Sequence, residues 1–109
     1  MTYKRSEELI TSLIESTNNK KIQWETTVSE SIFQCSFSAG VVSLNHYFDH
    51  DREEDNSYFT LKNSDGRVVV SLSDAEIPAI SKLYDLARSS ALNADEVIDG
   101  ILGFLEKDD

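Results

Sequence analysis

Residues 32–72, IFQCSFSAGVVSLNHYFDHDREEDNSYFTLKNSDGRVVVSL, decide the fold because apolar and polar side chains alternate along most of this stretch. A period of two is typical of β-strands with one buried face and one exposed face. Gly40 suits a turn after the first strand, and Asp65-Gly66 between two alternating runs is a strong hairpin signal. The stretch therefore predicts two β-hairpins in series, joined by an acidic connection at residues 49–55.

The larger side chains of each alternating run are expected to face the core. In the four strands these residues are Phe33, Cys35, Phe37, Val42, Leu44, His46, Phe48, Phe59, Leu61, Val68, Val70 and Leu72. Residues 20–28 alternate in the same way, with Ile22, Trp24, Thr26 and Val28 on one side, and predict a fifth strand. Because each strand has one polar side, the pattern favours an antiparallel sheet that is covered on a single face.

Helical periodicity flanks the strands. A first helix is predicted at residues 6–16, with Ser6 as its N-cap. Its apolar stripe consists of Leu9, Ile10, Leu13 and Ile14. After the strands, residues 74–77 are expected to form a short turn and Pro78 to open a second helix, because proline suits the first helical position and disrupts later ones.

The last helical segment, at about residues 94–107, is unusually apolar. Asn93 supplies a cap, and two acidic residues follow it in the first turn. The large apolar residues are Val97, Ile98, Ile101, Leu102, Phe104 and Leu105. Gly100 and Gly103 lie between them and would permit close approach of another backbone. This helix either packs deeply in the domain or pairs with a second copy as a homodimer, since exposed apolar patches commonly mark interfaces.

Together these elements predict a single α+β domain over residues 1–109, because 109 residues is a common size for one domain. We expect a mainly antiparallel twisted sheet of about five strands, in the order αβββββαα. The N-terminal helix and the two C-terminal helices should pack on one face, since this layering lets one-sided strands and amphipathic helices bury their apolar stripes together.

The charge balance restricts the partners. The chain has 20 acidic and 10 basic residues, with a formal net charge of -10. Such a field repels nucleic-acid phosphates and anionic lipid head groups, and it speeds the encounter with basic proteins. Direct nucleic-acid binding and membrane binding are therefore not expected, because nucleic-acid affinity comes largely from lysine and arginine.

No sequence motif indicates catalysis, so we expect neither an enzyme nor a cofactor. The four glycines are scattered and form no phosphate-binding loop. Cys35, the single cysteine, alternates with Phe33 and Phe37 on the expected buried face. Burial raises the pKa of a thiol and leaves it inert. A cytoplasmic location is expected, since one cysteine cannot form an intrachain disulfide and no apolar leader follows the first residues.

The acidic connection raises the question of a cation, because Ca²⁺ prefers six to eight oxygen ligands. The EF-hand pattern is absent: counting from Asp51, the sixth residue is Asn56 instead of glycine, and the twelfth is Lys62 instead of glutamate. His46 and His50 with one distant cysteine give no zinc spacing. We expect no metal ligand, although a small-ligand or cation-binding domain that uses the sheet face or the 49–55 loop is the alternative function.

The main hypothesis is a small acidic protein-interaction domain, in its sharpest form an inhibitor or immunity-type protein that neutralises a basic partner. The carboxylates expected to steer that partner are Asp49, Asp51, Glu53, Glu54 and Asp55. The aromatic residues expected to anchor it are Tyr47, Tyr58 and Trp24. For Trp24 a core or core-edge position is the leading interpretation, because it is the largest side chain in the sequence, and a role as partner anchor is the alternative.

Overall fold

A computed structural model of the chain describes residues 3–107 and places them in three helices and five strands. The elements are α1 (Lys4–Asn18), β1 (Glu25–Thr26), β2 (Ile32–Phe37), β3 (Gly40–Asp49), β4 (Glu54–Asn63), β5 (Val68–Ser73), α2 (Ala79–Ala91) and α3 (Ala94–Glu106). The strands form one open sheet in which neighbours along the chain pair antiparallel. The predicted α+β class and order of elements are confirmed.

The acidic connection is itself part of a hairpin, which corrects the prediction of two separate hairpins. β3 and β4 pair continuously from Gly40 with Asn63 to Asp49 with Glu54. Glu54 and Asp55 therefore belong to β4, and only the turn between the strands is irregular.

The sheet has an apolar and a polar face, as the alternation predicts. Phe33, Leu44, Phe59 and Leu72 are paired across four strands, and all of them are buried. The adjacent row on the other face is polar: Gln34, Ser43, Thr60 and Ser71. Helix α2 packs on the apolar face against β1 to β4, and α1 packs against α2. The core thus lies between one side of the sheet and these two helices.

β1 is much shorter than the predicted strand at residues 20–28. Backbone N–H groups of Lys21 and Ile22 donate to the carbonyl of Ser16, and Lys20 takes a positive φ of 59°. This return of the chain onto the end of α1 uses residues that would otherwise pair with β2. Val28, expected to face the core, is fully exposed because the chain has already entered the turn before β2.

A β-bulge alters the expected alternation in β5. The register shifts opposite Leu61 and Lys62, so that Val68 pairs with Lys62 and Val70 with Leu61. Val68 is exposed, contrary to its predicted inward position, whereas Val70 packs against the core. An extra residue in one strand of a pair changes the face to which the following side chains point.

The helix starts also differ from the predictions. α1 begins before Ser6, which lies inside the helix, and no side chain of residues 3–107 forms a capping hydrogen bond at the first turn. Pro78 occupies the N-cap position of α2 instead of the first helical position, so the helix begins one residue later than expected. The turn before it is held by Glu76, whose carboxylate accepts hydrogen bonds from the N–H and hydroxyl groups of Ser73. The predicted turn and proline start are thus correct to within one residue.

Trp24 lies in the core with 1% of its surface exposed. Its indole N–H donates to the hydroxyl of Thr17 at 2.9 Å, and that hydroxyl donates to the carbonyl of Leu13 at 2.7 Å. A buried indole N–H needs such an acceptor, because leaving it unpaired costs about 1–3 kcal/mol. The expected role of Trp24 as a partner anchor is therefore wrong for the folded chain.

We predict that Thr17→Val lowers the free energy of unfolding by about 1–3 kcal/mol, because it leaves the indole N–H of Trp24 without an acceptor. In a Trp24→Phe background the same change should cost less, since no donor remains to be satisfied. Urea unfolding of the two single variants and the double variant measures this coupling. Additivity of the two changes to within about 0.5 kcal/mol would show that the hydrogen bond does not couple these residues.

Candidate interaction surfaces

The tip of the β3–β4 hairpin, residues 47–58, carries two stacked tyrosines on the polar face of the sheet. The register pairs Asn45 with Tyr58 and Tyr47 with Asn56, which makes the two tyrosines diagonal neighbours. Their ring centroids are 5.3 Å apart with an interplanar angle of 10°. The Tyr58 hydroxyl donates to the Tyr47 hydroxyl at 3.3 Å. The tip therefore presents one flat aromatic surface formed by both strands.

The environment of the pair keeps the Tyr58 phenol protonated. The hydrogen bond to Tyr47 is the largest of the causes that raise the pKa of Tyr58 to about 12, with Asp49 and Asp74 contributing through their charge. The usual value for tyrosine is about 10. The folded state therefore holds this proton more tightly than the unfolded state does. The stabilisation that the protonated Tyr58 provides is complete below a pH of about 10 and is lost as the pH rises through 12.

Carboxylates surround the aromatic pair, but they do not all have the same role. Asp51, Glu53 and Glu54 are exposed at the turn. Asp49 is partly buried, and its Oδ1 accepts from the backbone N–H groups of Asp51 at 3.0 Å and Arg52 at 3.3 Å. Asp49 thus fixes the shape of the turn, while the three exposed carboxylates remain available to a partner.

Asp55 belongs to a polar network on the other face of the hairpin, which the sequence did not predict. Its Oδ1 lies 3.3 Å from Nε2 of His46, and Nδ1 of His46 lies 3.1 Å from the hydroxyl of Ser57. The imidazole also stacks on Tyr84 of α2, with ring centroids 5.2 Å apart. Asp74 accepts from the backbone N–H of Ser57. These contacts join the hairpin to α2 and to the turn after β5.

The order Ser57, His46, Asp55 matches the residue types of a hydrolase triad. Ser57, however, is 1% exposed, so its hydroxyl is covered by the sheet and α2 and does not face solvent. A nucleophile has to reach the reacting atom of its substrate. We therefore interpret the network as a structural link that orients the hairpin.

Neither the acidic loop nor Cys35 offers an obvious chemical site. No group of three or more His, Cys, Asp or Glu side chains within residues 3–107 is arranged to hold a metal ion. Asp49 and Asp55 are already engaged by the turn and by His46. Cys35 is buried, and burial followed by the charge of Glu25 raises the pKa of its thiol. Both effects disfavour the reactive thiolate.

Helix α3 presents a second surface. None of its thirteen residues, all within the described part of the chain, is buried, so the alternative of a deeply packed helix is wrong. At about 100° per residue, its six large apolar side chains cover an arc of roughly 160°. They are 47% to 76% exposed. Gly100 and Gly103 fall on the opposite side, and nothing lies within 4 Å of a Cβ built at either.

A groove of about 520 Å³ lies between α1 and the apolar face of the sheet. Its apolar walls are formed by Leu9, Leu13, Ile22, Phe37, Ala39, Val42, Leu61 and Val69. Ser12, Ser16, Gly40, Lys62 and Asn63 complete the lining. Phe37 is exposed for this reason: it faces the predicted side of the sheet, but α1 does not cover it.

Comparison with known proteins yields no match to any protein-family model, curated protein or solved structure. Across residues 3–107, no helix has the length and apolar character needed to cross a membrane.

We predict that Tyr47→Phe lowers the pKa of Tyr58 toward 10, because the variant removes the hydroxyl that accepts the Tyr58 hydrogen bond. The phenol pKa can be followed by NMR of Tyr58 labelled at Cζ, between pH 9 and 12.5, with circular dichroism to confirm that the chain stays folded. Tyr84→Phe is the control, since it removes a tyrosine without touching the pair. A Tyr58 pKa that is the same in wild type and Tyr47→Phe would contradict the assignment.

Proposed function

We propose that this protein is a small acidic, non-enzymatic interaction domain that binds a basic protein partner at the hairpin tip, as an inhibitor or immunity-type protein does. The observation that carries the proposal is the stacked Tyr47–Tyr58 pair with exposed carboxylates beside it. The proposed contact residues are Tyr47, Tyr58, Asp51, Glu53 and Glu54, and Asp49 and Asp55 add their charge while they remain bonded to the turn and to His46.

The tip combines two interactions that a basic side chain can use together. An arginine or lysine placed over an exposed tyrosine ring gains about 0.5–1 kcal/mol from the cation–π interaction. Glu54 pairs with Asp49 on the face of the sheet that carries the tyrosines, and Asp51 is exposed in the turn beyond it. Arginine suits this site best, because its planar guanidinium can stack on a ring while its N–H groups reach carboxylates.

The tip is also held in place before a partner arrives. Asp49 fixes the turn, and the network of His46, Ser57 and Tyr84 fixes the strands behind it. A surface that is ordered beforehand loses less conformational entropy on binding. Net charge -10 would further increase the rate at which a basic partner meets the protein.

The test uses the full chain and a fluorescently labelled arginine-rich peptide, with binding measured by anisotropy at several salt concentrations. Tyr47→Ala should weaken binding about three- to fivefold. The paired change Asp51→Asn and Glu54→Gln should weaken it about three- to tenfold at low salt, because two exposed charges are lost.

The control is a pair of neutralised carboxylates elsewhere on the surface, Glu8→Gln and Asp65→Asn, which changes the net charge by the same amount. This control should lower the affinity much less than the tip variants. If both pairs lower it equally, the peptide responds only to overall charge, and the tip is not the site. Binding that does not weaken as salt increases would also count against the proposal.

The groove supports a second candidate function, an apolar small-ligand site on the inner face of the sheet. Its volume lies in the range of ligand pockets, and its walls are mostly apolar. The expected result is saturable, one-to-one binding of a neutral apolar dye such as N-phenyl-1-naphthylamine. Leu61→Arg should abolish that binding. The cation-binding version is not proposed further, since Asp49 and Asp55 already have partners within the protein.

Self-association through the helix at residues 94–107 also forms part of the proposal, and it is supported by the exposed apolar face of α3. An amphipathic helix of this length is marginal in water unless its apolar face packs on something. The expected cytoplasmic location stays a prediction.

A further inference from the structure

We propose that α3 of one chain docks into the groove between α1 and the sheet of a second chain, and that the second chain returns the same contact. The result is a two-fold symmetric dimer with both helices exchanged. This inference rests on the proposed self-association through α3 and adds the surface that receives the helix.

The first argument is that α3 cannot be covered by its own chain in the observed arrangement. It is joined to α2 by Leu92 and Asn93, and Asn93 takes a positive φ of 54°. Gln23 donates to the carbonyl of Ser90 and to the side chain of Asn93, which holds this corner against the body of the protein. α3 contacts α2 and, within the described residues, contributes nothing to the lining of the groove.

The chain is more extended than a compact domain of its length. The radius of gyration is 15.9 Å and the longest axis is 61 Å. A compact chain of this length has a radius of gyration of about 13 Å. The apolar side chains of α3, and Phe37 and Val69 at the groove, are exposed and therefore accessible to another molecule.

The second argument concerns area. Six largely exposed apolar side chains at roughly 100 Å² each withdraw on the order of 600 Å² when covered. Two exchanged helices alone then bury about 1,200 Å² in total, and the groove walls add to this area, which reaches the range of stable, specific interfaces. Pairing α3 only with α3 of the second chain would cover the two helix faces but leave both grooves open. The exchanged arrangement covers both apolar surfaces.

The third argument is charge. Two chains that each carry a net charge of -10 repel one another, so self-association requires contact surfaces with few carboxylates. Among the described residues that line the groove there is no Asp or Glu, and Lys62 is the one charged residue. On α3 the acidic residues lie outside the apolar arc: Asp95, Glu96, Asp99 and Glu106. Docking the apolar arc therefore keeps the carboxylates at the rim.

Symmetry follows from the reciprocity of the contact. If each chain gave its helix to a different neighbour, the contact would propagate into a chain of molecules. Mutual exchange between two chains covers the apolar faces of both helices and fills both grooves, so the assembly contains two chains and does not grow further.

The experiment first measures the oligomeric state of the full chain by sedimentation velocity over a wide concentration range. Wild type should be a dimer. Ile101→Glu, on the apolar arc of α3, should weaken the dimer at least about tenfold, because docking would bury an unpaired charge. Ser12→Glu should do the same from the groove side. Thr11→Glu is the matched control. Like Ser12→Glu it adds a carboxylate to α1, but at a position outside the groove, so it should leave the dimer unchanged.

Cross-linking then identifies the acceptor surface. In a Cys35→Ala background, a chain with Ser12→Cys is mixed with chains that carry Ile98→Cys, Ile101→Cys or Leu105→Cys. At least one mixture should form a mixed disulfide, which requires Cα atoms within about 7 Å. A chain with Ser71→Cys, on the polar face of the sheet, should form none.

The outcomes separate the two proposals. A wild-type chain that stays monomeric at high concentration overturns both self-association and groove docking. A dimer that is insensitive to Ser12→Glu, with disulfides between two copies of α3, overturns groove docking and leaves self-association standing. Open polymers, or a monomer that binds the apolar dye in its groove, also overturn the exchanged dimer. Binding of the basic peptide at the hairpin tip is measured separately.

Discussion

The fold depends on one requirement, which is that the apolar face of a five-stranded sheet must be kept from water. The buried row Phe33, Leu44, Phe59 and Leu72 lies under α2, which contacts β1 to β4. α1 packs on α2 and leaves the neighbouring part of the sheet, around Phe37 and Val69, open as the groove. Two helices do not cover this sheet completely. The third helix, α3, extends from α2 and does not cover the sheet. The open groove and the exposed apolar face of α3 therefore have the same cause.

The hairpin tip follows from a different constraint, the unequal length of the strands. β3 and β4 are ten residues long, whereas β2 and β5 have six. The end of the long hairpin therefore continues beyond its neighbours and has to be fixed by side chains. His46, stacked on Tyr84 and bonded to Ser57, supplies that support on the inner face. The tyrosine pair lies on the outer face of the same part of the hairpin.

The sequence could predict the features that depend on periodicity. Alternation located the strands from β2 to β5, and a proline located the start of α2 to within one residue. It could not show that the chain folds back onto Ser16 after α1, because that return depends on backbone hydrogen bonds. It also could not locate the bulge at Val68, since a register shift depends on the partner strand. The network of His46 and Ser57, like the stacking of Tyr47 on Tyr58, requires the register of β3 with β4.

The proposed site shows the same division between composition and geometry. The acidic stretch was evident from composition, but only the structure shows that Asp49 and Asp55 have partners within the protein, whereas Asp51 and Glu54 are exposed at the turn. Charge also distinguishes the two proposed surfaces by their response to salt. Contact of a basic partner with the tip joins opposite charges and weakens as salt increases, whereas contact between two acidic chains opposes like charges and strengthens. Because no carboxylate is among the described residues that line the groove, the repulsion between two chains in the proposed dimer comes from charges farther from the contact, which salt screens most effectively.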